Sequence, residues 1–221
     1  MLREAAVSDI QPSQEASNTR PLLTAGVVAG PLFLIVVLIH AAARPGFDWI
    51  RHPLSLLSLG DYGWVQIANF VVSGILFIAT ASGMRRVLHS GRGARWAPLL
   101  VGAFGVALIA GGVFVADPAF GFPPGTPEGR PDHLSWHGIV HAIAPAVGFL
   151  ALIAACFVMG RRFATSGERG WARYSYATGA VVLGLSAVPP SENFVALWAA
   201  AVVGFVWPSL VAAKLMSRLP R

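Results

Sequence analysis

Six stretches of this chain carry no Asp, Glu, Lys or Arg: Leu22–Ala43, Trp64–Met84, Ala97–Ala116, Gly138–Gly160, Tyr174–Pro190 and Phe194–Ala213. A hydrocarbon layer about 30 Å thick takes about 20 residues of helix, and five of the six reach that length. The fifth, at 17 residues, is the marginal one and ends at Pro189-Pro190. Only Ser191-Glu192-Asn193 separates it from the sixth, so the last two form a tight helical hairpin. The expected fold class is an all-α integral membrane protein, a six-transmembrane-helix bundle.

Composition agrees. Charged residues make up 12% of the chain and hydrophobic residues 55%, with a mean hydropathy of +0.65. Soluble domains average about 25% charged residues, so an ordinary solvated enzyme is excluded. A disordered chain, which needs the opposite composition, is excluded too. The single cysteine, Cys156, can form neither an internal disulfide nor a multi-cysteine metal site. Of the sixteen basic residues only Lys214 is lysine, a bias that fits a GC-rich bacterial genome.

The net charge of +6 and pI near 10.7 would point to nucleic acid in a soluble domain. The placement of the charges gives another answer. Arg3 and Arg20 precede the first span. Arg85, Arg86, Arg92 and Arg95 lie between spans two and three, and Arg161, Arg162, Arg169 and Arg173 between four and five. Lys214, Arg218 and Arg221 follow the sixth. Those thirteen share one side, against Arg44, Arg51 and Arg130 on the other. Positive charge marks cytoplasmic loops, so both termini are expected in the cytoplasm of a bacterial cell, with no nucleic-acid partner. Residues 1–21 lack the apolar core of a signal peptide and read as a disordered cytoplasmic tail. Residues 22–216 form the transmembrane domain, and 217–221 a second cytoplasmic tail.

Histidine and carboxylate show the opposite bias. Asp48, Asp61, Asp117, Glu128, Asp132 and Glu192 fall on the outer side, as do His40, His52, His133, His137 and His141; only His89 is inside. The outer loops Arg44–Gly63 and Asp117–His137 are about twenty residues each, a length usually functional or disordered. In the first, Pro53 suits the start and Gly60 the end of a short interfacial or re-entrant helix. Ser55 and Ser58 would share a face of it. The second has five prolines and three glycines between Asp117 and Asp132, which preclude helix. Asp117 ends span three, where the helix dipole mildly disfavours a carboxylate.

His137 and His141 stand four apart, one above the other on a helix face. Such a pair can hold one metal ion, as in zinc enzymes. His133 extends the spacing by a turn if the helix starts at Pro131. His40 and His141 lie at matching depth, and ionisable groups there are functional candidates by default. The plainer reading is that each histidine bonds to a neighbouring helix. Paired glycines at Gly26 and Gly30, Gly102 and Gly105, and Gly111-Gly112 fit close helix packing. Asn69 and Gln66 add polarity on the outer side.

Arg51-His52-Pro53-Leu54-Ser55, Leu57-Ser58-Leu59-Gly60, Gly63-Trp64, Asn69-Phe70, Phe114-Val115-Ala116-Asp117-Pro118 and His137 to His141 resemble the signature of a bacterial six-span family. That family is known only as domain of unknown function 998. The resemblance covers nearly the whole chain after the tail and implies six spans without an activity. A looser similarity is to ceramidase- and adiponectin-receptor-like membrane hydrolases, which set Ser, Asp and three His around zinc. By that likeness Ser55 or Ser58 and Asp117 are catalytic candidates. His137 and His141 would be metal ligands, with His40, His52 or His133 the third. Here there are six spans, not seven, and the pair lies on span four, not on the last.

Two kinds of function follow. One is a metal-dependent hydrolase, with zinc as cofactor, acting on a lipid-like substrate at the outer leaflet, where bound zinc would lower the pKa of its water to about 7. The alternative is a small-solute transporter or channel, or a non-enzymatic accessory protein. A haem or quinone carrier is a further reading. Retinal is excluded, because the only lysine sits at the cytoplasmic edge.

Overall fold

The computed structural model describes residues 2–189 and 193–220, with side chains from residue 17 onward. It has six α-helices: α1 Leu2–Ala43, α2 Gly63–Val87, α3 Trp96–Val113, α4 Trp136–Thr165, α5 Arg169–Ser186 and α6 Val195–Met216. A short 3-10 turn, Leu54–Ser58, lies between α1 and α2, started by Pro53 and followed by Gly60 at φ 70°, as expected. Among the described residues there is no strand. Pro190, Ser191 and Glu192, the expected hairpin tip, lie outside the described residues.

Among the described residues five helices are long and apolar enough to cross a membrane: α1 from Ser17, α2, α3, α4 and α6. Inside a bilayer each backbone N–H and C=O must find its partner within the segment, and helix provides that. The marginal fifth stretch lies differently from its expected position. Its helix begins at Arg169 rather than Tyr174 and stops at Ser186 rather than Pro190. Arg169 and Arg173 thereby sit in its first turns, which lowers its apolarity. At the N-terminus, α1 is helical from Leu2 where a disordered tail is expected through Pro21. Ala, Glu and Gln in that stretch are good helix formers.

Each helix packs on the next in the chain, and α6 closes the ring on α1. The core is aromatic. Phe33 of α1 stacks on Phe205 of α6 with ring centres 4.0 Å apart, and Phe77 and Phe104 complete the cluster. Such pairs add about 0.5–1.5 kcal/mol each beyond their buried area. Helices α2 and α3 meet where Gly74 faces Gly105. A Cβ on either would lie within 2.7 Å of the other's carbonyl oxygen, so only glycine permits this approach. Gly26, Gly30 and Gly112 also face neighbouring helices closely, as expected, but Gly111 does not; nothing lies within 4 Å of where its Cβ would be.

The outside of the ring is apolar. Ile39 is 65% and Leu150 63% exposed, with Ile75, Val106 and Ile143 similar. An aqueous protein rarely shows a continuous apolar surface; hydrocarbon is its natural solvent.

The ring's two ends differ in charge. At one end Arg20 donates to the carbonyls of Leu219 and Pro220, and Arg86 to that of Asn18. There too, Arg162 donates to Ser90 and Arg92, and Glu168 pairs with Lys214 and Arg218. Burial works against the ionised Glu168, but these two cations outweigh it and hold its carboxyl below the usual range. The opposite end carries the two long loops and every histidine but His89.

Candidate functional site

The histidine-rich end is capped by the two long loops, and His52 joins them. Its Nδ1 accepts from the Asp48 backbone N–H at 2.9 Å, which leaves Nε2–H to donate to the Phe120 carbonyl at 2.8 Å. The His52 carbonyl accepts from the Trp198 indole at 3.0 Å, tying the cap to α6. Phe47 and Phe122 pack against the imidazole. Both ring nitrogens are thus committed to backbone, and His52 is not placed to serve as a third ligand. Replacing His52 with Ala is expected to cost about 2 kcal/mol, from two lost hydrogen bonds at roughly 1 kcal/mol each. A lower melting temperature and faster proteolysis of the 114–135 loop would register it; an unchanged melt would show that the loops are held by other contacts.

Asp117 is placed differently from its expected position. Helix α3 ends at Val113, so Asp117 is clear of that C-terminus and faces the N-terminus of α4 instead. Its Oδ1 accepts from the Ser135 hydroxyl at 2.6 Å and its Oδ2 from the Ser135 N–H at 2.8 Å. Ser135 is the N-cap of α4 and accepts from the Gly138 N–H at 3.0 Å. The dipole of α4 therefore favours the carboxylate, reversing the sign expected from α3. Partial burial works against the charge. The Ser135 hydroxyl and backbone bonds, with His137 and His141 alongside, outweigh it and keep the carboxyl below its ordinary range. Ser135 is the residue the expected site lacked. A serine immediately before an apolar run is itself a helix-start signal.

The start of α4 at Trp136 also decides the fate of the histidine row. His133 precedes the cap, is exposed, and does not extend the face of His137 and His141. His137 is half-buried. Its Nδ1 lies 3.0 Å from the Val115 carbonyl and 3.1 Å from Ser135 Oγ. A carbonyl can only accept, so Nδ1 carries the proton.

His141 is buried, about 7 Å below the start of α4 at 1.5 Å per residue. Its Nδ1–H donates to the carbonyls of Phe114, at 2.7 Å, and Gly111, at 3.1 Å. These belong to the last turn of α3, where carbonyls lack partners within the helix. The plainer reading of a histidine serving a neighbouring helix thus holds for Nδ1. The other nitrogen, Nε2, is an acceptor, buried and without a partner.

His141 lines a cavity of about 70 Å³, several times the 10–15 Å³ that admits one water. Phe33, Phe70, Phe104, Leu108 and Phe205 make it apolar, with Ser55 at its edge. Pro145 also lines it and is itself exposed. Proline has no N–H for the carbonyl four residues back. That carbonyl belongs to His141.

The candidates do not all converge. Ser55 lines the cavity; Ser58, the last residue of the turn, is buried away from it with its hydroxyl unpartnered. His40 is buried in α1 with both ring nitrogens unpartnered, and it does not line the cavity. Among the described residues no three His, Cys, Asp or Glu side chains are grouped so as to hold a metal ion.

Comparison with curated proteins and with solved structures gives no match. Residues 27–215 match the family described as "Protein of unknown function (DUF998)", and the chain belongs to that family.

Proposed function

We propose that the protein crosses the bacterial cytoplasmic membrane six times with both termini in the cytoplasm. In this reading it binds a lipid-like amphiphile near the outer face, with its polar group on His141 and its tail in the aromatic cavity. The orientation rests on the sequence, which sets thirteen basic residues in the stretches on one side of the spans and three on the other. Helix α5, at 18 residues, is about 27 Å long. It would serve as the sixth span with Arg169 and Arg173 snorkelling to the interface.

One observation carries the ligand reading: His141, on the wall of an otherwise apolar cavity, has a buried ring nitrogen without a partner. Buried acceptors ordinarily have partners, and a hydroxyl or amide of an amphiphile would supply one. Exposed Pro145 in the cavity wall favours entry from the lipid side. Native mass spectrometry of protein extracted in mild detergent tests this. A bound amphiphile is expected, with occupancy reduced several-fold in His141→Phe. Equal occupancy in both proteins would overturn the reading.

Ser55 on the same cavity favours a second reading, acyl transfer to or from the bound ligand, in which Ser55 would be the nucleophile. Covalent labelling of Ser55 by a lipophilic fluorophosphonate would support it, and absence of labelling would count against it. A zinc-centred version would need a third donor beside His137 and His141. Among the described residues no third His, Cys, Asp or Glu is grouped with them.

A further inference from the structure

A second set of unpartnered polar groups lies apart from the His141 cavity. They are His40 Nδ1 and Nε2, Ser58 Oγ, Gln66 Nε2, Asn69 Oδ1 and Ser73 Oγ. None of these side chains is more than 8% exposed, and Gln66 and Ser73 are fully enclosed.

The helix register lines them up. Asn69 Nδ2 donates to the Phe33 carbonyl of α1 at 3.1 Å and to Gln66 Oε1 at 3.3 Å. These bonds fix both amides, because flipping either would set acceptor against acceptor or donor against donor. Gln66 lies one turn above Asn69. One turn higher, a Cβ on Gly63 would lie 3.5 Å from Ser58 Cα, so Ser58 rests on the head of α2. Ser73 is one turn below Asn69. On α1, His40 lies seven residues beyond Phe33, two turns up the same face. Because α1 and α2 run antiparallel, that brings His40 to the level of Ser58 and Gly63. The groups therefore form a file down the α1–α2 seam, from Gly63 to Ser73 about 15 Å long and half the hydrocarbon thickness.

The chemistry of the file identifies its occupant. Gln66 Nε2 can only donate, Asn69 Oδ1 can only accept, and the hydroxyls and imidazole do both. An anion would be repelled by Asn69 Oδ1 and a cation by Gln66 Nε2. Water donates and accepts, and it is the usual partner of buried polar groups that lack one. Below Ser73 the path closes. Phe77 is fully buried and packs against Phe104 and Phe205, and the Thr80 hydroxyl is taken by the Leu76 carbonyl.

We propose that the unpartnered groups of His40, Ser58, Gln66, Asn69 and Ser73 hold a file of water molecules that enters from the histidine-rich end and stops at Phe77. At a hydrogen-bond spacing of about 2.8 Å the file holds on the order of five waters. It gives the membrane interior a one-sided aqueous access, closed toward the arginine-rich end.

X-ray hydroxyl-radical footprinting of the full chain in lipid nanodiscs, after brief mixing into ¹⁸O water, tests this. Radicals form from bound water and mark adjacent side chains. After correction for intrinsic reactivity, His40 is expected to take up ¹⁸O at least fivefold faster than Phe77, although both are buried. Labelling of His40 no faster than that of Phe77 would overturn the proposal, and that comparison needs only the native protein. Gln66→Leu, which removes one water partner, is expected to cut His40 labelling several-fold and leave His52 unchanged. Undiminished His40 labelling in a folded Gln66→Leu protein would also overturn it.

Discussion

Gly111→Leu is expected to empty the His141 cavity of its ligand, cutting co-purified amphiphile more than tenfold, while the melting temperature stays the same or rises. Two observations set this expectation. Gly111 lines the cavity, and a Cβ there meets nothing within 4 Å. A leucine on a helix leans toward the preceding turn, here toward Leu108 and Ala107, which line the same cavity. It would enter the space the amphiphile needs, and its Cβ would meet no protein atom within 4 Å. The fold should gain, since glycine in a helix costs roughly 0.5–1 kcal/mol relative to alanine. The Gly111 carbonyl, which holds His141, is backbone and survives the change. Native mass spectrometry and a thermal melt on one sample read both effects. Undiminished amphiphile with an intact melt would place the ligand elsewhere and remove the basis of the proposed function.

Gly111 also illustrates where sequence reasoning stops. A run of apolar residues without charge declares a span because hydrocarbon tolerates little else, and five spans are legible on that basis. The spacing of His137 and His141 is likewise local, and helix geometry alone puts them on one face. What the ligand would meet is not local. Whether Gly111 packs on a helix or opens on a cavity depends on how α3 and α4 sit together. Pairing His40 with Ser58, Gln66 and Asn69 depends on the register of two antiparallel helices, which no repeat in either one records. The start of α5 is not legible in apolarity, because an apolar window stops at Arg173, whereas the helix continues through it. In the sequence His52 is a loop residue and one of three candidates for a third metal ligand; its part in joining two loops appears once Phe120, 68 positions away, folds against it.

Gly138→Ala is expected to lower stability by about 3 kcal/mol, the opposite of what a glycine-to-alanine change does inside most helices. The reason is the carboxylate lying on the glycine. An added Cβ would collide with Asp117 Oδ2 and fall 2.7 Å from its Cγ, so the Asp117 carboxylate must shift off the start of α4. Ser135 then loses the partner of its hydroxyl and of its N–H, and the start of α4 loses the charge that suits its dipole. A lost cap costs about 0.5–2 kcal/mol, and forced repacking adds about 1–3 kcal/mol. The pH dependence provides a separate check. The Asp117 carboxyl is held below its ordinary value in the folded protein, so its contribution is complete above the unfolded value of about 3.9. It is lost as pH falls through the lower, folded value. Asp117→Asn removes that titration. Its melting temperature is expected to start lower at pH 6 and to converge on that of the native protein as pH falls below 4. Parallel curves for the two proteins over that range would show that Asp117 does not hold the start of α4 by its charge. A Gly138→Ala melt as high as native would show that the Asp117 carboxylate does not rest on Gly138.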